Sequence, residues 1–226
     1  NHKYKFIFIK TRKTASTSIE IALSQLCDTN DVITPISKED ELLRKELGFP
    51  GPQNYNVALQ YYSKLDWLKL IGKAKQKKFY NHSSVKYISR CIPDRTWNSY
   101  FKFTFERNPF DKAISRYYWS TRDPRPEIAE YLNSAPSHLL SNWDIYTLND
   151  HIKVDFVGRY ENLNEDLATI KEKLGIQAQF NLPKAQGRYR TDREHFSRIL
   201  NSEARARVEI VCAKEIAAFG YRWIET

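Results

Sequence analysis

The stretch that most constrains this chain lies near its start, where an apolar run, Tyr4 to Ile9, passes straight into Lys10-Thr11-Arg12-Lys13-Thr14-Ala15-Ser16-Thr17-Ser18. Tyr4 to Ile9 predicts a buried strand, and Ile19, Ala22, Leu23 and Leu26 repeat at the spacing of one helix face. Between them sit the cations Lys10, Arg12 and Lys13 and a series of hydroxyl side chains. A strand that feeds a helix through such a loop aims free backbone N–H groups and the positive end of the helix dipole at one place. The segment therefore reads as an anion site; a basic turn with hydroxyl helix caps is the alternative.

The pattern repeats downstream. Tyr100 to Phe105 alternates aromatic with other residues and predicts a strand, Glu106-Arg107-Asn108 the turn after it, and Pro109 the first turn of a helix running to about Trp119. Val154 to Gly158 predicts another strand, Asn162 to Leu174 a helix stopped by Gly175, and Ser202 onward one long helix ending before Gly220. Strands alternating with helices predict an α/β chain, a three-layer α/β/α domain around a central parallel sheet of about four or five strands. With 226 residues, 41% of them apolar, 1–226 reads as a single domain. Residues 28–78 read as an insertion on the acceptor side, with a helix over Tyr55 to Lys75 that turns Val57, Tyr61, Leu65 and Leu68 inward. Phe79-Tyr80-Asn81-His82 and Val85 to Ile88 straddle a short polar break, and His82 is expected to follow a strand.

The net charge of +9 gathers in Lys3 to Lys13, Lys64 to Lys78 and Lys184 to Arg198, which suits an anionic ligand, nucleic acid or an acidic polymer. Cys27, Cys91 and Cys212 are odd in number and widely spaced, which argues against a disulfide framework and against a zinc site and makes them core thiols. No run has the length of a membrane span, and no apolar core of a signal peptide is present. Cytoplasm is the default compartment, with the Golgi lumen the expectation for a form whose anchor has been removed.

The first loop keeps only the Lys13-Thr14 pair of the triphosphate-binding pattern Gly-x-x-x-x-Gly-Lys-Ser/Thr and lacks both glycines, which disfavours an ordinary kinase or ATPase. The second cluster, Phe103 to Tyr118, places Arg107 at a strand end and Ser115 two helical turns on. On its own a strand-end arginine also reads as a salt-bridge partner.

Together these segments resemble the sulfotransferases that use 3′-phosphoadenosine 5′-phosphosulfate (PAPS), and in particular the carbohydrate branch that includes the heparan sulfate and uronyl 2-O-sulfotransferases. Lys13-Thr14-Ala15-Ser16-Thr17-Ser18 is similar to that branch's 5′-phosphosulfate loop, and Phe105 to Tyr118 to its 3′-phosphate motif, with Arg107 and Ser115 at the matching positions. Val154 to Leu163 and Phe219-Gly220-Tyr221 are similar to further segments, so the likeness spans nearly the whole chain. It implies a P-loop-like fold and sulfuryl transfer to an acceptor hydroxyl, a glycan or other carbohydrate, with release of 3′,5′-phosphoadenosine (PAP) and no metal. Lys13 would stabilise the departing phosphate. Thr14, Ala15, Ser16, Thr17 and Ser18 would hold the 5′-phosphosulfate, with Lys10 and Arg12 adding to its field, and Arg107 and Ser115 would hold the 3′-phosphate. Arg188, Tyr189 and Arg190 would lie in a segment covering the nucleotide. His82, in Phe79-Tyr80-Asn81-His82-Ser83-Ser84, is similar to the histidine-bearing strand end of the 2-O-sulfotransferases and is the candidate base; it departs from their His-Gly-His pattern, and a hydrogen-bonded structural role is the alternative. Glu106 is a second candidate base, although its place beside Arg107 suggests an ion pair. Two rivals stand beside this reading, an ATP-dependent small-molecule phosphotransferase and a basic nucleic-acid-binding module; no recognisable nucleic-acid motif supports the latter.

Overall fold

The computed structural model describes residues 1–179, 181–183 and 194–225. Strand β1 (Phe6–Phe8) leads into helix α1 (Ser16–Ser24), and α2 (Lys38–Glu46), α3 (Lys64–Lys73), α4 (Val85–Ser89) and α5 (Asp94–Ser99) precede β2 (Phe101–Glu106). Then come α6 (Pro109–Ser120), α7 (Ile128–Ser134), α8 (Ser137–Leu140) and α9 (Trp143–Tyr146), the ribbon of β3 (Thr147–Leu148) and β4 (His151–Ile152), and β5 (Phe156–Arg159). Helices α10 (Leu163–Leu174), α11 (Phe196–Ile199), α12 (Ser202–Val211) and α13 (Ala213–Phe219) complete the described elements.

The central sheet is parallel with order β1-β2-β5, pairing Phe8 with Phe103 and Phe105 with Gly158. It has three strands among the described residues, fewer than the four or five expected: Phe79 N–H pairs with Tyr55 O outside the sheet, and Tyr80 to Ser83 form a turn in which Ser83 N–H donates to Tyr80 O and His82 adopts a left-handed φ of 63°. β1 is consequently an edge strand.

Strand periodicity sorts the two faces. Phe6, Phe103 and Phe105 pack with Ile19 and Leu23 of α1 and with Leu167 and Ile170 of α10. Ile9 on the opposite face meets Val85 of α4 and Trp143, Ile145 and Tyr146 around α9. Helix layers on both sides of a parallel sheet make this the expected three-layer α/β/α architecture. A further cluster, with Phe110 and Ile114 of α6, Leu132 of α7 and Ala204 and Val208 of α12, fastens the C-terminal helices.

Close packing explains one glycine. A Cβ built on Gly158 would come within 2.4 Å of the Phe105 ring, which is fully buried between the sheet and its helices. Asn108 caps α6 by accepting from Phe110 N–H, with Pro109 in the first turn, and Gly175 ends α10 in the left-handed region.

Two helix expectations change. The long C-terminal helix is broken at Cys212 (φ −105°, ψ 20°), and the break turns Glu215 into the interior, where it accepts from Ser141 Oγ. The helix over Tyr55 to Lys75 shrinks to α3, because Ser63 and Asp66 form a reciprocal capping box that fixes its start. Val57 is buried, but Leu65 and Leu68 are 67% and 66% exposed rather than inward.

Candidate functional site

The loop between β1 and α1 is held in an unusual backbone state. Lys13 and Ala15 have φ of 61° and 58°, left-handed values that each cost a residue with a Cβ about 1 kcal/mol or more. Ala15 is the N-cap of α1 and supplies no side-chain cap, so first-turn donors such as Ser16 and Thr17 N–H have no capping side chain. Left-handed residues beside open N–H groups make the concave backbone that anions occupy.

Hydroxyls brace the loop from within. Thr11 Oγ1 donates to Phe105 O and lies 2.9 Å from Thr14 Oγ1, and Ser16 Oγ donates to Thr11 O at 2.6 Å. Thr11, Thr14, Ser16 and Ser18 are buried, whereas Thr17 is half-buried and its hydroxyl makes no hydrogen bond to another described residue. Thr11, Thr14 and Ser16 are thus structural braces, while Thr17 stands half-buried in the first turn of α1.

The clamp on this loop comes from a residue that the sequence did not single out. Asn142, 1% exposed, accepts from Arg12 N–H at 2.9 Å and donates to Arg12 O at 3.0 Å. Its Nδ2 also donates to Glu106 Oε1 at 3.3 Å, and its own N–H donates to Glu215. Glu106 in turn receives Lys112 Nζ at 2.8 Å, Tyr146 OH at 3.2 Å and Arg107 N–H at 2.9 Å. Burial raises the Glu106 pKa against the pull of Lys112, and the Lys112 pKa is also raised, because the neighbouring Glu106 and Glu215 outweigh its own burial. Four donors on one carboxylate leave it acceptor-only, an anchor beneath the loop. The ion pair expected between Glu106 and Arg107 is made instead with Lys112.

Arg107 joins the two motifs. Its guanidinium stacks on Tyr160 with 4.2 Å to the ring centre, approaches Asp111 at 4.0 Å, and Nη1 reaches Lys13 O at 3.5 Å. Glu161, accepting from Asn108 N–H at 2.7 Å, fixes the turn that aims it. Ser115 is half-buried on α6, and its hydroxyl makes no hydrogen bond to another described residue. The next residue, Arg116, belongs to the same cluster and was not foreseen. It stacks on Trp119 at 4.9 Å, a ring that Lys13 Nζ also approaches at 5.2 Å. The missed signal is the Arg116-x-x-Trp119 spacing, which puts both on one helix face with Ser115 alongside.

Burial and mutual repulsion set the electrostatics of these cations. Burial lowers the Lys13 pKa to about 7, with Arg107 and Arg116 adding repulsion. Arg12 is lowered by burial and then by Arg116. Lys10, by contrast, is buried and pairs with Glu20 at 2.5 Å; Glu20 also holds the fully buried Arg44 at 3.2 Å. That pairing turns the Lys10 ammonium toward α1 and away from the Lys13–Arg107–Arg116 cluster.

His82 lies against the same loop, with Nδ1 3.1 Å from Lys10 O. A carbonyl only accepts, so Nδ1 carries the proton and Nε2 keeps its lone pair. Burial, followed by the charges of Lys10, Arg12 and Arg116, lowers the His82 pKa to about 3 and keeps the ring neutral. From His82 an apolar cavity of about 190 Å³ extends along the free edge of β1 toward Tyr100, lined by Phe8, Leu23, Ile33, Phe79 and Tyr80 among others. Arg188, Tyr189 and Arg190 lie outside the described residues. No group of side chains suited to holding a metal ion occurs among the described residues, and Cys27, Cys91 and Cys212 are free thiols.

The parallel sheet of this three-layer α/β/α fold carries a strained loop at one strand end and an arginine at the next. The sequence comparison is more specific: residues 1–222 match the Sulfotransferase family, and the chain belongs to it. That membership makes the protein a sulfuryl transferase. An uncharacterized protein of Archaeoglobus fulgidus is 34% identical over 101 residues, which span 42% of this chain and 84% of that protein.

Proposed function

We propose that this protein transfers the sulfuryl group of PAPS to an acceptor hydroxyl. The observation that carries the reading is the meeting of Lys13, Arg107 and Arg116 beside a left-handed, amide-rich loop, with Asp111 the carboxylate that approaches Arg107. Burial, and then repulsion from Arg107 and Arg116, lowers the Lys13 pKa, and a polyanion relieves the repulsion. A nucleotide with a 5′-phosphosulfate and a 3′-phosphate matches two cationic loci, one at the loop and one at α6.

Within this reading the backbone N–H groups from Thr14 to Ser18, with Thr17 Oγ1, hold the 5′-phosphosulfate, while Arg12 adds positive field. Arg107 and Ser115 hold the 3′-phosphate, the guanidinium supplying parallel donors. PAPS supplies an activated sulfuryl group. His82 Nε2 accepts the acceptor's hydroxyl proton as the new O–S bond forms, and Lys13 stabilises the phosphate oxygen from which sulfur departs. The nucleotide's negative charge also favours the imidazolium, so nucleotide binding raises the His82 pKa. Glu106, whose oxygens are taken by four donors, is left as the anchor and His82 as the base.

The motif resemblance and the +9 charge favour a carbohydrate acceptor. The apolar cavity beside His82 favours a second reading, a hydroxyl carried on an apolar or aromatic body. Transfer of labelled sulfate from PAPS to a panel of glycans, phenols and hydroxylated lipids decides between them. Transfer to none, with Lys13→Ala indistinguishable from wild type in PAP binding, would overturn the proposal; so would protection against heating by magnesium and ATP that exceeds protection by PAP.

A further inference from the structure

The second basic segment, Lys64 to Lys78, has no part in this site. Helix α3 has no buried residue, and on it Leu65, Leu68 and Ile71 are 67%, 66% and 81% exposed and Trp67 41%. Successive helix positions turn by about 100°, so Trp67, Ile71, Leu68 and Leu65 form one apolar arc of roughly 160°. Half-buried Asp66 and Leu70 occupy the opposite side, and Trp67 meets Tyr62 at 5.6 Å where the arc joins the body. On the same wheel Lys64 falls within the arc, between Ile71 and Leu68, Lys69 borders it beside Leu65, and Lys73 lies further round towards Asp66; all three, and Lys75 beyond the helix end, are exposed. The segment's one acidic residue, Asp66, is held by Ser63 and Lys77.

We propose that α3 is a docking surface for an anionic lipid bilayer, with its apolar arc set among the headgroups and its lysines on lipid phosphates and carboxylates. The charge argues for this occupant. A second copy packed arc to arc would bring two sets of lysines together with no free carboxylate to meet them. A nucleic acid would use the lysines and leave Leu68 and Ile71 in water. Only one side of α3 projects from the body, and a shallow apolar stripe that carries Lys64, has Lys69 at one edge and ends on an interfacial tryptophan suits a flat surface better than a groove that must enclose a helix. The capping box fixes the helix before contact, so docking needs no coupled folding.

Co-sedimentation of the protein with vesicles tests this, using phosphatidylcholine alone and phosphatidylcholine with roughly one-third phosphatidylserine. Wild type is expected to bind the serine-containing vesicles, to bind phosphatidylcholine far more weakly, and to be released by added salt. Lys64→Glu with Lys69→Glu should weaken binding at least about tenfold, and Leu68→Asp with Ile71→Asp should abolish it. All four residues are exposed, so melting temperature and its rise with PAP should be unchanged in both variants. No binding to serine-containing vesicles, or full binding by Leu68→Asp with Ile71→Asp, would overturn the proposal. So would a concentration-dependent dimer in light scattering that this double variant dissolves, or capture by an acidic protein without vesicle binding.

Discussion

Two lysine-rich segments of this chain look alike in composition and behave as opposites. In Lys10 to Lys13 the cations are buried or half-buried, one is paired with Glu20, and the backbone between them is clamped by Asn142 and strained at Lys13 and Ala15. In Lys64 to Lys78 most cations are exposed on or near an apolar arc that no described residue covers. Basic composition is therefore silent about mechanism; the difference lies in what desolvates each charge and what holds it. A lysine whose pKa falls to about 7 interacts strongly with its surroundings, while an exposed one is screened by salt.

The largest separation of the two segments should come from sulfuryl transfer. Lys13→Ala is expected to lower kcat by about 10²- to 10³-fold, as for loss of one preorganised charge-stabilising donor, whereas Lys69→Ala should leave kcat unchanged. Equal losses in the two variants would erase the distinction.

Stability should separate them next. Asn142→Ala leaves both Arg12 backbone groups and part of the Glu106 network unsatisfied, and should cost about 2 to 3 kcal/mol, read as a lower denaturant midpoint together with weaker PAP binding. Gly158→Ala should cost a similar amount, about 1 to 3 kcal/mol, through the clash with Phe105. Leu68→Ala on α3, by contrast, should stay within about 0.5 kcal/mol of wild type.

The pH dependence sharpens the account of His82. Its folded pKa of about 3 lies below the ordinary value, so between pH 6.5 and 3 the unfolded chain binds a proton that the folded chain refuses. Stability is thus lost as the pH falls through that window. At pH 5 the loss attributable to His82 is about 2 kcal/mol, and His82→Gln should remove it. An identical acid slope in wild type and variant would contradict the buried, cation-flanked environment.

The smallest effect tests the strain itself. Ala15→Gly should relieve the left-handed φ and raise stability by up to about 1 kcal/mol, with little change in transfer.

Much of this architecture was legible before the structure. Phe101, Phe103 and Phe105 alternate, Pro109 opens a helix and Gly175 ends one, and each local signal agrees with the packing that follows. The family resemblance joins the loop to Arg107, since a strand-end arginine alone also reads as a salt-bridge partner; in the structure Arg107 Nη1 comes within 3.5 Å of Lys13 O. What could not be read was set by tertiary contacts. Leu65 and Leu68 have the spacing of an inward face, but periodicity reports a stripe and not what covers it. Lys10 reads like Lys13 until Glu20 takes it. Asn142 carries no local signal, because its partners lie 130 residues away at Arg12 and in the interior. Cys212 breaks a continuous helical pattern because Glu215 is drawn toward Lys112, a pair that no window of sequence contains.

The central claim is that Lys13 and Arg107 serve one nucleotide carrying a 3′-phosphate. Calorimetric titration of wild type and Arg107→Ala with PAP and with adenosine 5′-phosphate, which lacks that group, tests it most directly. Wild type should prefer PAP by about 10- to 100-fold, the worth of a charge-assisted contact, and the preference should collapse in Arg107→Ala while affinity for adenosine 5′-phosphate barely changes. Equal affinity for the two nucleotides in wild type, or a preference that survives in Arg107→Ala, would contradict the account.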